Sequence, residues 1–341
     1  MVNNVLQIRD ILSKITEFVP YNKLFETSTF YMNEGYYLKK LKLSRKYSLL
    51  FYKNNEMKEE ILTKIYNPNK QLELELSYQC ITYTNQLKNL YTLDLSFTNI
   101  EDVSLLGNIH NVYLRGCQNI TDVSPLKKIF KLDLSDCKNI INIDPLENVH
   151  YLDLSNTNII DINKLINVHT LKINNCKNIK NINSYFNSNT LEINTCTDLN
   201  DAKYFKNVHN LSLINCINIV DIMPLENVKI VNLTFCSSIV DFSFLHKIHT
   251  LDLSWTNIID TSSLGNVYKL YLRGCTKIKD VSKLGNVHIL DLRYTKITDV
   301  SMLGTVHTLF LNGCKNIIDI RKLGSVKILD ITECANIKKK F

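Results

Sequence analysis

From Leu72 to Ile337 the apolar and polar positions recur with a fixed period. Ile109-His-Asn-Val-Tyr-Leu-Arg-Gly-Cys117, Val149-His-Tyr-Leu-Asp-Leu-Ser-Asn-Thr157 and Val306-His-Thr-Leu-Phe-Leu-Asn-Gly-Cys314 show it clearly. Each reads L-x-x-L-x-L-x-x-(C/T), with Ile or Val allowed for Leu. Apolar and polar residues alternate within each stretch, which predicts a short β-strand with its leucines turned to one side. The closing slot falls at Cys80, Thr98, Cys117, Cys137, Thr157, Cys176, Cys196, Cys216, Cys236, Thr256, Cys275, Thr295, Cys314 and Cys334, so there are about fourteen units, mostly 19 or 20 residues long. Thr units run T-x-I and Cys units C-x-x-I. The first interval is 18 residues, and its strand, Leu74-Glu75-Leu76, reads as one residue off register. A repeat array grows its core in one dimension, so 341 residues need not divide into several globular domains.

The second half of each unit reads I-x-D-V-S-x-L, as in Ile120-Thr-Asp-Val-Ser-Pro-Leu126. Asp122, Asp161, Asp221, Asp241, Asp260, Asp280, Asp299 and Asp319 share the Asp slot, where a carboxylate can accept an N–H two or three residues on and cap a helical turn. Pro125, Pro145 and Pro224 sit just inside that turn, where a missing N–H costs nothing. Gly107, Gly265, Gly285, Gly304 and Gly324 follow the turn's Leu and suggest a left-handed cap.

Together these motifs resemble the leucine-rich repeat, L-x-x-L-x-L-x-x-N/C-x-L, over residues 72–337. The resemblance implies an α/β solenoid: a curved array with a parallel β-sheet on its concave face and an inward-turned Cys or Thr ladder. The D-x-S-P-L turn is similar to that of internalin-type repeats, which are longer units.

The chain is 45% hydrophobic and 21% charged, with a formal net charge of +7. Residues 1–70 hold 12 of the 40 cations and 7 of the 33 anions, which concentrates the excess there. Without an RNP, zinc-finger or basic-helix signature, a surplus this small does not point to nucleic acid. No run of 18 apolar residues is present, so no membrane helix is expected. Arg9 and Asp10 interrupt the first apolar run, which is unlike a signal peptide. A cytoplasmic protein is expected, in host cytoplasm if the chain is viral.

The ten cysteines all read as ladder residues. Zinc would need close pairs such as CxxC, and Thr at four ladder positions cannot crosslink, so free buried thiols are expected. His110, His150, His169, His209, His249, His288 and His307 precede the strands; such a column could bind metal or sense pH, or be a repeated packing residue. Asp94, Asp133, Asp153, Asp252, Asp291 and Asp330 lie between the two leucines and face outward. They recur without a partner base or an orienting group, which argues against acid–base catalysis. No nucleotide, hydrolase or metalloprotease motif occurs. Neither an enzyme, a cofactor nor a metal site is expected.

Residues 1–70 lack the repeat. Leu6, Ile8, Ile11, Leu12, Ile15, Phe18 and Val19 keep helical spacing until Pro20, and a second helical stretch is expected near 57–65. One reading is a helical cap over the array's apolar end. The other rests on Ile11-Leu-Ser-Lys-Ile-Thr-Glu-Phe-Val-Pro-Tyr-Asn-Lys-Leu24, which resembles an F-box, with Ile11, Leu12, Ile15, Phe18, Pro20 and Leu24 on its skeleton. The opening Leu-Pro of that motif is absent. The combination resembles F-box/LRR-repeat proteins of large DNA viruses. It implies a substrate-recognition subunit of a cullin-type ubiquitin ligase, with a Skp1-like adaptor at residues 1–70 and a protein target on the repeats of 71–341. A scaffold with no ligase link is the alternative.

Near Asn181–Asn200 the sequence leaves open one even curve or a kink, because Asn183-Ser-Tyr-Phe-Asn-Ser-Asn189 breaks the usual turn, and Lys338, Lys339 and Lys340 read as a shield for the last strand edge. The outward slots are mostly Thr, Asp, Ser and Asn, but Trp255, Tyr271, Arg273, Arg293, Tyr294 and Phe310 cluster on four consecutive strands, and Phe97, Tyr113 and Arg115 form a lesser cluster. Trp, Tyr and Arg dominate binding hot spots, so the first cluster is the expected target surface with Trp255 as anchor. The middle units, with Lys172, Glu192 and Asn194, lack it.

Overall fold

The x-L-x triplets of the repeat become three-residue strands, each too short to stand alone and each hydrogen-bonded to the next unit. The computed structural model describes residues 40–56, 58–59, 71–81, 83–85, 87, 90–179 and 182–337. Two compact units divide the chain, Met1–Leu134 and Ser135–Phe341. The first holds five parallel strands in chain order: β1 (Lys40–Leu43), β2 (Gln71–Glu75), β3 (Thr92–Asp94), β4 (Asn111–Tyr113) and β5 (Lys131–Asp133). The second holds ten, again parallel and in order: β6 (Tyr151–Asp153), β7 (Thr170–Lys172), β8 (Thr190–Glu192), β9 (Asn210–Ser212), β10 (Ile230–Asn232), β11 (Thr250–Asp252), β12 (Lys269–Tyr271), β13 (Ile289–Asp291), β14 (Thr308–Phe310) and β15 (Ile328–Asp330).

Register places every strand leucine on its neighbour: Leu251 on Leu270, Leu270 on Leu290, Leu290 on Leu309. From β2 to β14 the Leu or Ile that follows the strand, such as Leu253, Leu272 or Ile173, is also buried, as are most of the Val or Ile and Leu residues of the second half-unit. Burying such a side chain contributes roughly 1.5–3 kcal/mol, and each unit supplies several.

The return segments close in 3₁₀ turns, among them Ser124–Leu126, Met223–Leu225 and Ser282–Leu284. The Asp slot works as expected from sequence. Asp122, Asp221, Asp241, Asp260, Asp280 and Asp299 each accept the N–H two residues on at 2.8–2.9 Å. The glycine slot does not. Gly285, Gly304 and Gly324 have φ of −60°, −62° and −61°, which is right-handed. Close approach accounts for the glycine at two of them: a Cβ on Gly304 would stand 2.3 Å from Lys322 O of the next unit, and one on Gly285 2.6 Å from Met302 O.

The ladder uses two geometries. Thr98, Thr157, Thr256 and Thr295 donate their hydroxyls to the carbonyl three residues back, at 2.6–2.8 Å. Cysteine thiols reach instead to the preceding unit: Cys117 to Leu95 O, Cys216 to Ile193 O and Cys275 to Leu253 O, at 2.9–3.1 Å. The extra residue of the Cys turn has a structural correlate. It allows a four-residue turn closed by the Ile N–H on the Cys carbonyl, as in Ile120 to Cys117 and Ile278 to Cys275, both at 3.4 Å.

Cys80 departs from the expectation that all ten cysteines are ladder residues. β2 is in register after all, with Leu74 on Leu93 and Glu75 on Asp94. Tyr78 takes the left-handed corner that precedes the ladder slot (φ 60°), so Gln79 falls in the slot and Cys80 lies one residue beyond it, exposed. Eight cysteines are buried and Cys334 is half-buried; all ten are free.

Helical periodicity did not foresee β1 or the helix α1 (Arg45–Lys53) that follows it. Leu41 and Leu43 alternate as strand residues, and buried Ser48 ties α1 to the sheet by donating to Leu43 O and accepting from Glu75 N. Ile11, Leu12, Ile15, Phe18, Pro20 and Leu24 lie outside the described residues, as do nearly all of 57–65 and the three lysines at 338–340. Across the segment where the usual turn is broken, β7, β8 and β9 keep their register.

Candidate interaction surface

The residue before each ladder slot turns the chain from strand to return segment, and it does so in the left-handed region. This column runs Tyr78, Phe97, Gly116, Asp136, Asn156, Asn175, Thr195, Asn215, Phe235, Trp255, Gly274, Tyr294, Gly313 and Glu333, with φ between 57° and 70°. An inter-unit hydrogen bond fixes the corner: Trp255 N donates to Arg273 O at 2.8 Å and Tyr294 N to Asn312 O at 2.9 Å. Gly and Asn suit such a corner. A bulky residue there costs roughly 1–2 kcal/mol, yet five of these positions are aromatic and all five are exposed.

Each corner aromatic is supported from the following unit. Phe235 stacks on Trp255 with centroids 6.0 Å apart and planes 9° apart, and Tyr78 on Phe97 at 4.7 Å and 12°. Phe97, Trp255 and Tyr294 in turn lie against Gly116, Gly274 and Gly313, where a Cβ would meet the rings at 2.6, 2.3 and 2.5 Å. The sequence therefore carries a signal, aromatic then Gly at a spacing of 19, that points to these platforms. Phe235 and Tyr78, which the repeat pattern did not single out, precede Trp255 and Phe97 in the column rather than a glycine.

The six expected residues fall on β11–β14 and their corners. Tyr271 and Phe310 are on the strands; Arg273 and Arg293 follow β12 and β13; Trp255 and Tyr294 are corners. Contacts join them in pairs. Arg273 lies over Tyr294 with its guanidinium carbon 5.2 Å from the ring centre, and Arg293 over Phe310 at 5.6 Å. Trp255 joins Phe235 instead, and is 42% exposed. Arg293 also grips Asp291 through two nitrogens, at 2.6–2.9 Å, and Asp291 is only 1% exposed. That bonding holds the Arg293 guanidinium charged. Burial, followed by the nearby Asp252 and Asp291 carboxylates, pushes the Tyr271 hydroxyl up from its ordinary value.

Arg273 differs from Arg293. It pairs with no carboxylate among the described residues, and its Nε is buried without a hydrogen-bond partner. The middle units are the reverse. Lys172 and Glu192 form a 2.9 Å ion pair; burial works against the lysine's charge, but Glu192 outweighs it and raises its pKa. Charges in the middle are satisfied within the sheet, whereas around Trp255 an arginine is left open. Of the lesser cluster, Arg115 lies over Phe97 at 5.7 Å and Lys131 over Tyr113 at 5.3 Å.

The histidine column packs as stacked rings: His150 on His169 at 4.2 Å, and Tyr268, His288 and His307 in succession at 4.6 and 4.5 Å. Among the described residues no group of three or more His, Cys, Asp or Glu could hold a metal ion, and no helix is long and apolar enough to cross a membrane.

One strand per repeat, parallel pairing in chain order, an inward Cys/Thr ladder and 3₁₀ return turns define the class: each compact unit is a leucine-rich-repeat solenoid. No protein-family profile matches the chain, and no curated protein does. Among solved structures it is similar to an internalin (InlF) from Listeria monocytogenes, with 23% identity, 79% of this chain and 82% of that one covered, and a TM-score of 0.48. It is similar also to the functional domain of InlJ from the same organism, described as including a cysteine ladder (22% identity, 75% and 66% covered, TM-score 0.44). A third is a leucine-rich-repeat protein from Leptospira interrogans (18% identity, 80% and 93% covered, TM-score 0.40).

Proposed function

We propose that the chain is a protein-interaction scaffold that holds a protein target on the open face of the sheet over β11–β14, the concave face of the repeat it resembles. One observation carries the reading: Trp255 is kept half-exposed in a left-handed corner that Gly or Asn would fill more cheaply, beside an arginine with no carboxylate partner. Strained backbone that persists at an exposed aromatic is a mark of use. Trp255 anchors the target; Tyr271, Arg273, Arg293, Tyr294 and Phe310 complete the surface. Capture from cytoplasmic extract with matched variants tests this. Trp255→Ala should weaken partner retention by about 2 kcal/mol or more, and the paired change Lys172→Ala with Glu192→Ala should not. Equal loss from both would move the contact surface elsewhere.

The finer reading is a substrate-recognition subunit of a cullin-type ubiquitin ligase in a reducing cytoplasm, host cytoplasm if the chain is viral. The F-box resemblance of Ile11 to Leu24 supports it, and the ten free cysteines support the compartment. A pull-down with purified Skp1-like adaptor is the test. Retention of the full chain, lost on Ile15→Asp with Leu24→Asp, is the expected result; no retention removes the ligase role and leaves the scaffold reading standing.

A further inference from the structure

The variable position of I-x-D, away from the strands on the segment that enters each 3₁₀ turn, carries an exposed apolar stripe. Val220, Val240 and Ile259 occupy it in three successive units and are 55%, 82% and 66% exposed. Each is followed by an exposed aspartate, Asp221, Asp241 or Asp260, whose Oδ1 is fixed by the N–H two residues on. The Ser243 hydroxyl and N–H hold the Asp241 carboxyl below its ordinary value, and the Ser262 N–H and hydroxyl do the same for Asp260, so both are charged at neutral pH. None of the three carboxylates forms an ion pair among the described residues. In two other units the same slot is neutralised at home: Asp201 pairs with Lys203 and Asp319 with Arg321. An unneutralised acidic row thus runs alongside an unpartnered apolar row.

We infer that this double row docks an amphipathic helix of a partner protein whose apolar face is edged by Lys or Arg. Spacing favours a helix. Successive units advance by about 4.8 Å, the strand separation, and a helix advances by about 5.4 Å per turn. A helix lying along the stack therefore sets one apolar side chain per turn against Val220, Val240 and Ile259, and the basic residue beside it against the matching aspartate. An extended peptide repeats its face every 6.7 Å or so and falls out of step within three units. Charge decides the remaining occupants. A second copy docked through a two-fold axis would bring the aspartate rows together, and like charges across an interface are costly. An anionic lipid surface would be repelled by the same row.

The probe is a labelled 18-residue helical peptide with Leu at i, i+4, i+7 and i+11 edged by Lys, compared with the same peptide carrying Glu for Lys. Binding to the full chain is read by fluorescence anisotropy. The Lys-edged peptide is expected to bind at least tenfold more tightly than the Glu-edged one. Val240→Lys should weaken it at least tenfold, Asp241→Asn with Asp260→Asn should weaken it and flatten its salt dependence, and Trp255→Ala should leave it unchanged. Because Val240 is so exposed, Val240→Lys should melt like the parent, which a thermal scan checks. No binding of the Lys-edged peptide, equal binding of the two peptides, or indifference to Val240→Lys overturns the proposal. So does concentration-dependent self-association that Val240→Lys abolishes, which would give the stripe to a second copy.

Discussion

Gly274→Ala probes the platform beneath Trp255 at its tightest point. Gly274 has φ +69°, and a Cβ there would lie 2.3–2.6 Å from three carbons of the Trp255 indole. Two costs follow. A left-handed alanine costs roughly 1 kcal/mol. The indole must also move off the corner, giving up its stack on Phe235, worth roughly 0.5–1.5 kcal/mol. The sum is a loss of about 2 kcal/mol in urea unfolding followed by far-UV circular dichroism. Only the backbone part remains once the indole is gone, so in a Trp255→Ala background the same substitution should cost about 1 kcal/mol less. Trp255 is the only tryptophan, so its emission reports the displacement independently and should shift to the red in Gly274→Ala. An equal loss in both backgrounds with unchanged emission would refute the account of aromatic corners resting on glycine.

Three further outcomes are expected. In native protein a thiol reagent should find Cys80 at once and Cys334 slowly, with the other eight appearing only in denaturant; burial pushes Cys196 and Cys216 up to about 12, and more than two native reactions would mean the ladder is open. Stability should fall as pH drops below about 6.5: burial and the neighbouring His169 hold His150 below its ordinary value, so the unfolded chain binds the proton more readily and the folded state loses ground as that range is crossed downward. His150→Gln should flatten the urea midpoint between pH 7.5 and 5.5, and an unchanged slope would show that the stack is not responsible. Thr256→Val removes a buried hydroxyl bond to Leu253 O, which keeps the Thr256 N–H and the Cys275 thiol as donors; a loss near 1 kcal/mol is expected, and no loss would mean those two satisfy that carbonyl.

The strands were legible because leucine spacing fixes which residues face inward, and the Asp slot was legible because an Asx turn is local. What escaped depended on the next unit. Gly304 reads like a left-handed cap, but it is there because Lys322 O of the following turn leaves no room for a Cβ. Cys80 kept the ladder's residue type while the corner placed Gln79 in the slot. Of the expected contact surface, the residue list came from strand alternation, but the pairing did not. Trp255 rests on Phe235 rather than on its arginine neighbours, and Asp291 neutralises Arg293 and leaves Arg273 open. Val240 sat in a position that the repeat pattern leaves free, so nothing in the period announced that its neighbours in the stack are apolar too.

The most direct test of the scaffold reading is a hydrogen-exchange footprint of the chain with and without a captured partner. Slowed exchange is expected in peptides spanning β11–β14 and their corners, from 250 to 313, with β6–β8 unchanged, and the footprint should vanish with Trp255→Ala. Protection confined to β6–β8, or a footprint that survives Trp255→Ala undiminished, would contradict the placement of the target on this face.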